Sequence, residues 1–296
     1  MTTIIIHGTM AAGSKWYSAS WGENGFLFNL KKGMEKTAAY HDIWRINGYD
    51  VSEVPQLDGQ FGWSGLPDGQ ARGRGAEALV KYLNAIRKLS DKPIRIIAHS
   101  HGCNVVKMAS SMPELDPRVH IDAAVFLACP HFYEIEYTQK KPRNWKDKFN
   151  PEYIKLNPTG RRFRYKLSPE RFGAILNLYT QSDDVQVKLA ETLGAGSVYL
   201  PTKNSIWQNM KKQFNTGMVE TPEAERTEPD EDAKYIYQNL EIEVHPGCDG
   251  LKSHSVMHGA AMGKLAGTWL NSSQTIDELI SDHGVVQPVM CDDDGE

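Results

Sequence analysis

Ser100 sits between two histidines in the stretch Ala98-His99-Ser100-His101-Gly102. A serine hydroxyl attacks a carbonyl only when a base takes its proton and hydrogen-bond donors hold the oxyanion that forms. Elsewhere the chain supplies candidates for each part. Asp183 and Asp184 follow an apolar run at 174–180, and His245, His254 and His258 follow another at 235–244. Upstream, His7-Gly8-Thr9-Met10 closes the first apolar run. Acyl transfer through a serine ester is the reaction class these residue types perform together.

The small residues at 98 and 102 suit a sharp turn from strand to helix, which lifts Ser100 above the carboxyl edge of a sheet. The following helix offers free N–H groups and a partial positive charge to an oxyanion. The bland alternative for Ser100 is an N-cap on an ordinary helix. Ser64, in Gly62-Trp63-Ser64-Gly65, competes as nucleophile, but Leu66-Pro67-Asp68-Gly69 after it spells a loop. The backbone N–H of His101 is one expected oxyanion donor, and that of Thr9, with Met10 as alternate, is the other. Asp183 is the expected acid and Asp184 its alternate. The base is expected at His254, placed in a loop before the last helix, where its ring can swing over the sheet edge. His258, one helical turn on, is the alternate, and His245 lies at a strand end before a proline. The four-residue spacing of His254 and His258 would suit two ligands of a metal on one helix face. A third ligand at suitable spacing is missing, so neither metal nor cofactor is expected. His99 is expected to point into the structure and His101 toward the cleft.

These residues need elements that bring them together. Short runs rich in Ile, Val and aromatic residues, at 3–7, 42–46, 94–99, 123–128, 175–180 and 235–244, read as strands. Helices are expected at 26–39, 70–89, 103–111 and 255–270; in the second, Ala71, Ala78, Leu79, Tyr82, Leu83 and Ile86 recur at helical spacing. Strands alternating with helices predict a doubly wound, mainly parallel sheet of about six strands. The 296 residues suffice for one domain with a large core. Segments 131–173 and 186–234 interrupt the alternation and are expected to be insertions in that one domain. Residues 140–171 hold eleven Lys/Arg against three Asp/Glu, which suits transient contact with an anionic membrane surface.

The net charge of −4 gives no sign of nucleic acid as a partner. No run is long and apolar enough to span a bilayer. The start, MTTIIIHGTM, lacks the basic segment of a Sec leader. A cytoplasmic protein is expected, or one exported by a signal-independent route. The four cysteines, Cys103, Cys129, Cys248 and Cys291, have no CxxC spacing and read as reduced thiols.

The chain order Ser100, Asp183, His254, with His7-Gly8 upstream and Ala-His-Ser-His-Gly at the turn, resembles the α/β-hydrolase superfamily. The resemblance covers nearly the whole chain, with Ala98 where the usual motif has glycine. It implies a sheet lacking the family's first two strands, as in small lipases. It maps the nucleophile to Ser100, the acid to Asp183, the base to His254, and the oxyanion donors to Thr9 (or Met10) and His101. It also makes 131–173 a lid or cap. The implied activity is that of a lipase or esterase acting on lipid or phospholipid esters. An acyltransferase or thioesterase would use the same triad, and a binding protein would keep the fold without the chemistry.

Overall fold

β1 (Thr2–Ile6) reads TTIII and is buried along its whole length, as a strand covered on both faces must be. The computed structural model describes residues 2–8, 23–34, 42–46, 63–66, 69–130, 134–136, 162–164, 167–180, 182–183, 237–248 and 251–272. Six strands of these form one sheet: β1, β2 (Asp42–Ile46), β3 (Ile94–His99), β4 (Ile121–Leu127), β7 (Phe172–Tyr179) and β8 (Tyr237–Glu241). Their order is β2-β1-β3-β4-β7-β8, and every neighbouring pair is parallel. A separate antiparallel pair, β5 (Glu134–Glu136) with β6 (Arg162–Arg164), lies within the first insertion. The rest of segment 131–173 before residue 167, expected as a lid or cap, and all of 186–234 fall outside the described residues.

The two faces of the sheet are visible in the alternation of its strands. Ile4, Ile6, Ile96 and Ala98 pack with α2 (Gly69–Leu89) and α3 (His101–Ser110). Ile5, Ile97, Val125 and Leu127 point the other way, toward α1 (Phe26–Met34) and the last helix. Helices therefore cover both faces, as the doubly wound reading predicts.

The last helix differs from expectation. It is split into α4 (Leu251–Val256) and α5 (Ala260–Ser272), with His258 in the turn between them. Gly259 lies in that turn, and glycine's backbone freedom disfavours an unbroken helix there. α5 crosses α1 so closely that a Cβ on Gly267 would run into the Leu30 carbonyl, and one on Gly263 into the Phe26 carbonyl. Backbone leaves no flexible end to give way. Gly267→Ala is accordingly expected to lower stability by about 1–3 kcal/mol, read as a lower urea midpoint.

Cys103 and Cys129 are buried free thiols, as expected. Cys248 is disulfide-bonded, which corrects the reading of all four cysteines as reduced. Scattered spacing conceals such a bond, because spacing reveals a disulfide only where a known framework repeats it.

Candidate active site

Strand register sets the level of the site. Ile6 lies beside Ala98, His99 beside Leu127, Leu127 beside Leu178, and Tyr179 beside Glu241. The residues just past these positions thus leave the sheet along one rim: His7-Gly8, Ser100, Thr180–Asp183 and the chain toward His254. The order also reverses between β1 and β3, since β2 lies on one side and β4 on the other. Such a switch opens a crevice at the carboxyl ends of the strands. Gly8 and Ser100 face each other across it, so close that a Cβ on Gly8 would lie 2.6 Å from the Ser100 Cβ.

Ser100 adopts φ 52° and ψ −130°, a conformation a non-glycine residue enters only at a cost of about 1–3 kcal/mol. Its N–H is fixed to the Leu127 carbonyl at 2.8 Å, and its carbonyl accepts from Cys103 N–H at 3.0 Å. Gly102 makes the turn feasible: a Cβ there would stand 2.5 Å from the His7 carbonyl oxygen. The Cys103 thiol donates to the Ala98 carbonyl at 3.1 Å and braces the turn from behind. The Ser100 hydroxyl makes no capping hydrogen bond to α3. The N-cap alternative therefore has no support in the geometry, and a strained serine stands at the head of the helix.

His254 and Asp183 are brought together. The His254 Nδ1–H donates to Asp183 Oδ2 at 2.7 Å, with the carboxylate fully buried and the imidazole 12 % exposed. An ionised carboxylate only accepts, so a neutral ring held this way keeps its proton on Nδ1 and its lone pair on Nε2. His254 is not in a loop, as expected, but in the short helix α4.

The His254 ring also packs against His99, the residue before the serine, with centroids 4.8 Å apart. His99 in turn meets His258 edge-on at 4.7 Å. His258, the alternate base, thus lies against His99. Burial pushes the His258 imidazole down to about 3, and burial also holds His99 well below the usual imidazole range. Both stay neutral where esters are hydrolysed.

His101 opens α3, and its ring is buried near His254. Its Nδ1 accepts from the Asn104 amide at 3.4 Å, while the same amide donates to the Pro130 carbonyl at 2.9 Å. Burial, then the nearby Arg72 guanidinium, hold His101 well below its ordinary value. Ser64 is exposed and accepts from Leu66 N–H at 3.4 Å, as a loop serine does. Its neighbour is the residue that matters: Trp63 Nε1–H donates to the His7 carbonyl at 2.9 Å and stacks on the His7 ring. That fixes the backbone at the mouth of the first loop. His245 is exposed in the turn after β8, where its Nδ1 accepts from Gly247 N–H. Thr9, Met10 and Asp184 lie outside the described residues. Among the described residues no cluster of three His, Cys, Asp or Glu side chains is arranged to hold a metal.

Neither a family model nor a curated protein matches the chain. Solved structures do. A protein from Xanthomonas campestris assigned to the hydrolases of the alpha/beta superfamily shares 11 % identity over 92 % of this chain and 99 % of its own, with a TM-score of 0.42. Lipase B of Aspergillus fumigatus shares 13 % identity over 99 % of this chain and 60 % of its own, at 0.45. The esterase domain of a Rhodothermus marinus protein shares 11 % over 91 % and 86 %, at 0.36. Likeness at this level says nothing of activity, and the fold is read from strand order and the serine turn. The fold is a doubly wound α/β fold, a six-stranded parallel sheet with helices on both faces. Ser100 follows β3, Asp183 follows β7 and His254 follows β8, each past the carboxyl end of a strand of the one parallel sheet.

Proposed function

We propose that this chain is a serine hydrolase that cleaves carboxylic esters through an acyl-enzyme. The observation that carries the reading is the 2.7 Å bond between His254 Nδ1 and Asp183 Oδ2, formed at the rim from which the strained Ser100 rises. In the proposed cycle His254 Nε2 takes the Ser100 proton as Oγ attacks the ester carbonyl. Asp183 holds the ring and stabilises the imidazolium. The His101 N–H, at the start of α3, binds the oxyanion. A second donor is proposed at Thr9, with Met10 as alternate. His254 then gives its proton to the leaving alcohol, and water attacks the acyl-enzyme by the same route in reverse.

Lipid or phospholipid esters are the proposed substrates. The basic stretch at 140–171 supports this, since its charge suits an anionic lipid surface. Among the described residues no helix is long and apolar enough to cross a membrane. An acyltransferase or thioesterase would use the same three side chains and differ in which acceptor reaches the acyl-enzyme.

A fluorophosphonate probe tests the chemistry. We expect one adduct, on the peptide carrying Ser100, and turnover of a short-chain chromogenic ester that the adduct abolishes. Labelling at Ser64 instead, or no labelling of folded protein, would leave a binding protein with a hydrolase fold. Release of free fatty acid from vesicles of anionic phospholipid, compared with zwitterionic ones, tests the substrate class.

A further inference from the structure

One side chain that the proposed cycle does not use lies between the base and the nucleophile. His99 is joined by its peptide bond to Ser100, and its ring packs against the His254 ring with centroids 4.8 Å apart and planes tilted by 50°. The backbone on both sides of that bond is fixed. His99 lies beside Leu127 in the sheet, and the Ser100 N–H donates to the Leu127 carbonyl at 2.8 Å. The His99 ring is 4 % exposed, and three elements wall it in. His254 comes from α4, His258 meets it edge-on at 4.7 Å from the turn after α4, and Gly8 comes from the end of β1. A Cβ on Gly8 would lie 3.1 Å from His99 Nδ1.

Resting on the hydrolase reading above, we infer that His99 is a positioning residue whose ring sets the separation between the His254 imidazole and Ser100. Among the described residues the His254 ring makes one hydrogen bond, to Asp183, and one ring contact, to His99. The bond holds the Nδ1 corner and by itself leaves the ring free to swing about that corner. The ring contact limits the swing, since rings with centroids this close are in contact. His99 is a firm stop. It cannot shift without dragging Ser100 or pressing into Gly8 and His258. The base is therefore spaced from the nucleophile by a ring carried on the nucleophile's own strand. His99 takes no proton in the proposed cycle; it acts through His254. A misplacement of about 1 Å caused from outside the reacting groups can cost on the order of 10²-fold in rate.

The test compares His99→Ala, His99→Val and His99→Phe with the full-length wild type. It reads kcat and KM on a soluble short-chain ester at the plateau of the pH profile, the melting temperature, and the low-field proton resonance of the His254 Nδ1–H. We expect His99→Ala to lower kcat about 10- to 100-fold with KM unchanged. The low-field resonance should persist, because the Asp183 bond does not pass through His99. His99→Phe places a flat ring in the same position and should recover most of the lost rate. His99→Val suits a strand but has no ring; it should fall with alanine, and it carries the comparison if the alanine variant does not fold. If the phenylalanine variant does not fold, the split between kcat and KM decides. Wild-type kcat in a folded alanine variant, with only a lower melting temperature, would overturn the inference and leave the hydrolase reading standing. An equal loss in His99→Phe would also overturn it, by assigning the effect to the ring nitrogens rather than to the ring's bulk. So would disappearance of the resonance in His99→Ala, because His99 would then support the Asp183 bond instead of spacing the base. A wild type that hydrolyses no ester and takes no fluorophosphonate sinks the hydrolase reading, and this inference falls with it.

Discussion

Ser100→Ala and His254→Ala are each expected to lower kcat for an ester by about 10⁶-fold, and the double variant should lose no more than either alone. The first change removes the attacking oxygen. The second leaves that oxygen protonated, and a neutral serine hydroxyl attacks an ester hardly faster than water does. In the proposed cycle the two residues form one device, so removing the second part of a broken device costs nothing further. Asp183→Asn should do less, about 10⁴-fold, because its effect is on the ring's tautomer. An asparagine amide offers Nδ1 a donor as readily as an acceptor, and a ring turned to the wrong tautomer presents N–H to the serine. Residual rates should stay above that of water, since the N–H of His101 would still polarise the carbonyl. The measurement is steady-state turnover with melting temperatures alongside, so that lost chemistry is not confused with lost fold. Additive losses in the double variant would mean that Ser100 and His254 do not work together.

The part of this arrangement legible in the sequence is the part that local pattern controls. β2 and β3 have the bounds their apolar runs imply, and the turn at Ser100 follows from small residues at 98 and 102. The order of Ser100, Asp183 and His254 along the chain was also legible, because each follows a strand and the strands are parallel. What was not legible depends on contacts between distant segments. A break at Gly259 moved His254 from a loop into a helix and His258 from a helix into a turn. Trp63 drew notice only as the neighbour of a rival serine, yet it binds the His7 carbonyl 56 residues away. Ser253 gave no signal of its bond to the Ser182 carbonyl: a serine next to a histidine in Lys-Ser-His-Ser is ordinary until its 71-residue-distant acceptor is known. The Cys248 disulfide stayed hidden for the same reason.

The second large effect comes from the imidazoles packed behind the rim. Burial is the main cause that lowers His99 and His101 well below the ordinary value and His258 to about 3, and it lowers His7 as well. In the unfolded chain each returns to an ordinary imidazole, near 6.5. Between the folded and unfolded values the unfolded state binds the extra protons, so stability falls as the pH drops. The contribution is complete above about pH 6.5 and is lost progressively as pH falls from there toward 3. Between pH 7.5 and 5.5 His99, His101 and His258 each remove stability, together on the order of a few kcal/mol. That is a large share of the roughly 5–15 kcal/mol by which a domain is stable. Urea melts at the two pH values should therefore show a sharply lower midpoint at 5.5, with the slope unchanged. His258→Phe removes one of the three ionisations while keeping a flat ring against His99, and should reduce the drop by about a third. A midpoint that is flat from pH 7.5 to 5.5 would mean that these rings are protonated, or open to water, in the native state. It would also remove the neutral wall against which His254 is packed. Circular dichroism at pH 5.5 separates loss of the fold from a fold that acid leaves intact.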